Sequence, residues 1–177
     1  MIRTFVISLA TAAAVAVIPF AGAAQAAKPD VKPYTQAFLK KAAEEQQAQI
    51  ALGQLAAQQA ENVRVKNFGE EMALTHKIVS SELRQLATPR GIQLPLEPND
   101  EQKRIRKELS QQSGHPFDRA YMQQILADHQ NDVNEFEENM QTLDDAEVLR
   151  WAHKTLSMLR AHIEEARWIK QSMQTNP

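Results

Sequence analysis

"TPRGIQLPLEPNDEQKRIRKELSQQSGHP", residues 88–116, is the stretch on which the fold turns. Gly91 sits where a helix-ending glycine would, and Pro95 and Pro98 prevent the preceding helix from continuing. Asp100 is read as the cap of a short, strongly charged helix ending near Gln112, with Gly114 after it and Pro116 opening the next element. Roughly 25 residues thus separate two long helical patterns, enough to travel the length of a helix bundle and start again at the same end.

The flanking patterns are helical on both sides. Tyr34 to Ala60 is rich in Ala, Gln, Leu and Glu, with Gly53 its weakest position. Asn62 can cap a second helix, Val63 to Thr88, in which Phe68, Met72, Val79, Leu83 and Leu86 recur at helical spacing. A third long helix runs from Pro116 to about Gln141, and a fourth from Asp144 or Asp145 to about Met173. The first two are joined by a couple of residues, as are the last two, so each pair is expected as an antiparallel hairpin. Two hairpins and one long connection predict an all-α, ferritin-like four-helix bundle, up-down-down-up, with a short extra helix in the crossover.

Residues 1–26 read as a signal peptide: Arg3, an apolar run from Phe5 to Phe20, and the small-x-small ending Ala24-Gln25-Ala26. Residues 27–177 are then expected as a single domain, exported to the periplasm or cell envelope. The chain has no cysteine, which excludes disulfides, thiolate metal sites and cysteine nucleophiles. Its 20 basic and 22 acidic residues are interspersed, and no polybasic patch points to nucleic acid.

Within "ILADHQNDVNEFE", residues 125–137, Ile125, Val133 and Phe136 share a helix face with His129. His76 falls between Met72 and Val79 on the inner face of the second helix, and His162 lies toward one side of the Met158, Leu159, Ala166, Ile169 stripe. His153 projects to the polar side. At about 1.5 Å per residue His76 and His129 reach similar heights, with inward-facing Gln46 and Gln49 near that level and His162 about one turn away. Such a layer can be a hydrogen-bonded core network, or a site where neutral imidazoles from facing helices bind zinc, copper or iron.

Di-iron chemistry does not suit this pattern. It needs Glu-x-x-His on two helices, whereas Ala73, Leu126 and Leu159 stand three before His76, His129 and His162. Only Glu165, one turn beyond His162, offers a carboxylate in "HIEE". Met72, Met122, Met140 and Met158 read as packing rather than copper ligands, Ser80-Ser81 lacks a hydrolase arrangement, and "NEFEENMQ" and "DEQKRIRKEL" read as solvated faces.

"QIALGQLA", "FGEEMALTH", "GHPFDRAYMQQILADH" and "LRAHIEEA" resemble the exported, ferritin-like family DUF4142, whose members are often labelled outer membrane proteins. The likeness covers about residues 35–170, and the spaced histidines with Phe117-Asp118-x-x-Tyr121 carry it. It implies the fold and export, and no established activity. Two positions depart from the pattern: Gln49, where members commonly carry an acid, and Thr75, where they carry an aspartate. Fewer carboxylates weaken a hard-metal site.

The expectation drawn from these readings is an exported, non-enzymatic bundle with no catalytic residues, holding zinc or copper through His76, His129 and His162. Its affinity should weaken as pH falls through about 6.5, where free imidazole protonates. The alternatives are an envelope interaction or stress-associated protein, with structural histidines and an outer face for another protein or the membrane surface, and, as a third reading, a redox enzyme of the ferritin-like group. Self-association is left open.

Overall fold

The computed structural model describes residues 31–175; the expected signal peptide, residues 1–26, lies outside them. Among the described residues the secondary structure is five helices and no strand: α1 (Pro33–Gln59), α2 (Val63–Ala87), α3 (Asp100–Ser110), α4 (Gly114–Met140) and α5 (Ala146–Thr175). No helix among them is long and apolar enough to cross a membrane.

Local chemistry sets the helix ends. Pro33 opens α1, where its missing N–H costs nothing. Asn62 caps α2 by accepting from the Arg64 N–H at 2.9 Å. Beyond α2, Gly91 takes φ +67°, and the Ile92 N–H reaches back to the Ala87 carbonyl at 3.1 Å. Asp145 accepts from the N–H groups of Glu147 and Val148, so α5 begins at Ala146.

Two expected boundaries are corrected. The cap of α3 is Asn99, not Asp100: its side chain accepts from the Gln102 N–H at 3.0 Å while Gln102 Oε1 accepts from the Asn99 N–H at 2.8 Å. This reciprocal pair satisfies two orphan donors and leaves Asp100 in the first turn, where its charge meets the helix dipole. Likewise α4 begins at Gly114, two residues before Pro116, and Gly114 turns the chain into it at φ +62°.

The helices pack side by side as a bundle: α1 on α2, α2 on α5, α5 on α4 and α4 on α1, with α3 laid over α1 and α4. Contacts at the tips record which ends meet. Asp118, fully buried near the start of α4, accepts from the N–H groups of Glu61 and Asn62 in the α1–α2 turn. Lys32 and Tyr34, around the start of α1, reach Asp144 in the α4–α5 turn. Arg90, just past α2, bonds both carboxylate oxygens of Asp145 at the head of α5.

Gly53 and Gly69 face each other where α1 meets α2. A Cβ on Gly53 would lie 2.6 Å from the Gly69 carbonyl oxygen, and one on Gly69 would lie 2.6 Å from the Ala56 Cβ. The weak helix former in α1 is therefore what permits the backbones to approach.

The apolar core is split in two. One cluster gathers Phe38, Leu83, Phe136, Trp151 and Leu159; the other gathers Phe68, Met72, Phe117, Tyr121, Ile125 and Ile169. Between them every long helix contributes a polar side chain instead: Gln46 and Gln49 from α1, His76 from α2, His129 from α4 and His162 from α5.

Candidate metal centre

The histidines occupy this layer because each replaces one apolar residue in an otherwise continuous inward stripe. His76 and His129 are fully buried and His162 nearly so, as are Gln46 and Gln49. The three imidazole centroids form an almost equilateral triangle with sides of 5.5, 5.4 and 5.4 Å. The packing thus brings His162 as close to each of the other two rings as they are to one another.

Nitrogens converge inside the triangle. One ligand nitrogen from each histidine lies within 4.8 Å of those of the other two, so the group could hold a metal ion. His129 Nε2 and His162 Nδ1 are 3.3 Å apart. Two nitrogens bound tetrahedrally to zinc at ~2.05 Å would be separated by about the same distance.

The hydrogen bonds fix one tautomer. His76 Nδ1 is 2.8 Å from Gln46 Oε1, an oxygen that can only accept, so Nδ1 carries the hydrogen. His76 Nε2 is then a bare lone pair, buried and without a partner. Leaving such an acceptor unpaired costs on the order of 1–3 kcal/mol.

Burial also keeps the rings neutral. Desolvation, reinforced by the neighbouring imidazoles, holds His76 well below the ordinary histidine value. Desolvation and the nearby His162 push His129 down to about 3, and desolvation pushes His162 down to about 4. The expected proton competition at about 6.5 is thus displaced, because the folded layer stays deprotonated well below that pH.

A second group of residues escaped the sequence reading. Along the α1–α4 seam, under α3, Glu45 and Asp128 line a cavity of about 170 Å³ together with Asn99, Glu101, Gln102 and Ile105. Asp128 accepts from Gln124 Nε2 at 2.8 Å and from Gln49 Nε2 at 3.3 Å. One turn on, Asp132 is only 7% exposed. Burial pushes all three carboxyls up, with neighbouring acids adding to the effect for Glu45 and Asp132; Glu45 reaches about 7. Asp128 and Asp132 stand at i and i+4 around His129, a spacing visible in the sequence, but their convergence with Glu45 depends on which helix α4 packs against.

The remaining sequence candidates have structural places. Met72 and Met122 are core residues, and Met140 and Met158 pack at its margin. Ser80 accepts from Gln47 Nε2 at 3.1 Å, and His153 is exposed. Within "NEFEENMQ", Glu135 is half-buried and pairs with Lys41.

The family described as "Domain of unknown function (DUF4142)" matches this chain over residues 20–169. No curated protein and no solved structure matches it.

Proposed function

Because the chain belongs to the DUF4142 family, a family of unknown function, we propose a function from the site itself: binding of one divalent metal ion, zinc or copper, by His76, His129 and His162. The observation that carries this reading is the buried Nε2 lone pair of His76, which has no donor, on a histidine that offers a nitrogen within 4.8 Å of one from each of two further imidazoles. Histidine ligands commonly donate their other ring N–H to a carbonyl oxygen, which fixes the tautomer and raises basicity. Gln46 supplies that oxygen. Three neutral nitrogens with no carboxylate among them suit a borderline ion better than a hard one or a di-iron pair. When bound, the ion would take up the lone pairs; the residues themselves orient the rings, exclude water and stay unprotonated.

The same reading takes the bundle to be ferritin-like, up-down-down-up. Supporting it are the contacts of Asp118 with the α1–α2 turn and of Lys32, Tyr34 and Arg90 with the α4–α5 turn, as expected if α2 and α4 start at one end. It also takes the protein to be exported, on the leader pattern in residues 1–26, and to act without catalysis.

Metal content of protein purified without an affinity tag tests the proposal. About one zinc or copper per chain, lost in His76→Ala and His129→Ala, supports it; no metal after incubation with either ion overturns it.

A specific observation favours a second reading, in which an outer face meets an envelope partner. Trp168 is 58% exposed with the Arg64 guanidinium 5.3 Å above its ring, and Val63, which precedes Arg64 in the chain, is 65% exposed. An apolar and cationic patch of this kind suits an anionic membrane surface or an acidic protein. Vesicle sedimentation with and without anionic lipid tests it.

A further inference from the structure

The histidine layer is sealed between two apolar clusters, so an ion that reaches it must cross a seam between helices. The seams differ in chemistry. At the α1–α4 seam the cavity beneath α3 is walled by Glu45 and Asp128, with Asp132 and Glu135 following along α4. Lys41 is the cation facing them, and it pairs with Glu135. Acidic side chains thus outnumber cations in a half-buried crevice, where any charge they carry is screened less than at an open surface.

Two further observations point to a cation. Gln49 is buried, its Nε2 donates to Asp128, and its Oε1 has no partner. Asp132 is more than nine-tenths buried, and no hydrogen bond to its carboxylate is found among the described residues. Both lie next to the histidine layer: Gln49 is one helical turn from Gln46, the partner of His76, and Asp132 is one turn from His129. A buried oxygen left unpaired, as Gln49 Oε1 is, is costly unless something positive visits it.

We propose that the α1–α4 seam is an outer cation site that feeds the histidine layer, Glu45 and Asp128 collecting a hydrated divalent ion beneath α3 and the oxygens of Gln49 and Asp132 leading it inward. The proposal rests on the metal reading of the three histidines. The seam is a staging site rather than a final one. Among the described residues, no three carboxylates bring their oxygens within 4.8 Å of one another, so a bare ion finds no closed shell there. A loose anionic crevice concentrates cations and lets them go. The opposite seam, α2 with α5, offers the exposed Glu71 and the half-buried Glu165, with no fully buried unpaired oxygen beside them.

The test is the rate of zinc uptake by the mature chain, followed by stopped-flow competition with a zinc-binding dye. Equilibrium affinity is measured alongside. In Glu45→Gln/Asp128→Asn the uptake rate constant should fall about tenfold or more, while the equilibrium dissociation constant changes less than about threefold. Glu165→Gln should load as the wild type does. Uptake by the wild type should slow as ionic strength rises, a readout that does not depend on any variant folding. An unchanged rate in the double variant, equal slowing in Glu165→Gln, or a salt-independent wild-type rate would overturn the access route while leaving the histidine site standing. Absence of zinc binding by the wild type would overturn both.

Discussion

His76 donates from Nδ1 to Oε1 of Gln46 across 2.8 Å of buried space, which leaves its Nε2 as a buried, unpaired acceptor on a ring whose centroid lies 5.5 and 5.4 Å from those of His129 and His162. The bond links α1, which carries no histidine, to the histidine of α2, so α1 shapes the site without entering it. Gln46→Leu should therefore weaken zinc affinity by about 10–100-fold while the three ligands remain. Isothermal titration of the tag-free protein measures this, and unchanged affinity would show that Gln46 does not orient the ring.

Metal binding should raise unfolding stability by RT ln(1 + [L]/Kd), about 2.7 kcal/mol at a hundredfold excess of zinc over Kd. The shift should vanish in His129→Ala. Because His129 and His162 are held down to about 3 and 4 in the fold, affinity for the folded chain should persist to about pH 5. Thermal melts with and without zinc from pH 5 to pH 8 provide the comparison.

Without metal, the histidines and Glu45 pull stability in opposite directions with pH. For the histidines the folded values are depressed, so their contribution is complete above about 6.5 and is lost as pH falls from there toward 4 and then 3. His129→Ala should flatten that decline by up to about 1.4 kcal/mol per pH unit in this window. Glu45 is raised from 4.5 to about 7, so its contribution is complete below 4.5 and lost as pH rises through 7. Glu45→Gln should be nearly neutral at pH 4 and stabilising by about 1–3 kcal/mol at pH 8, as read from urea unfolding.

Alanine at Gly53 or Gly69 should destabilise despite alanine's better helix propensity. Propensity would gain about 1 kcal/mol. The added methyl at Gly53 would meet backbone atoms of α2 at 2.6 and 2.7 Å, however, and parting the helices should cost about 1–3 kcal/mol beyond that gain. A lowered melting temperature in either variant is the expected result.

Asp118→Ala should cost about 2–3 kcal/mol, because it strands the N–H groups of Glu61 and Asn62 beneath the start of α4. Asp118→Asn keeps an acceptor there and should lose less. Chemical denaturation of both variants separates lost bonding from lost charge.

The sequence by itself determined the helices and their inward stripes, because an α-helix repeats every 3.6 residues and that period survives any packing arrangement. It also placed His76, His129 and His162 on those stripes, with Gln46 and Gln49. Even locally it left ambiguities: Asn99 and Asp100 are both good caps, and the reciprocal bond with Gln102 chose Asn99. Only the tertiary structure decided what depends on distances between helices. The packing of α4 against α1 made Glu45, Asp128 and Asp132 one acidic seam, though they read separately as polar helix residues. The close approach of α1 to α2 turned Gly53 from a weakness into a contact. Burial between two apolar clusters made ordinary imidazoles into bases that stay neutral near pH 5, since desolvation is a property of the surroundings and not of the residue.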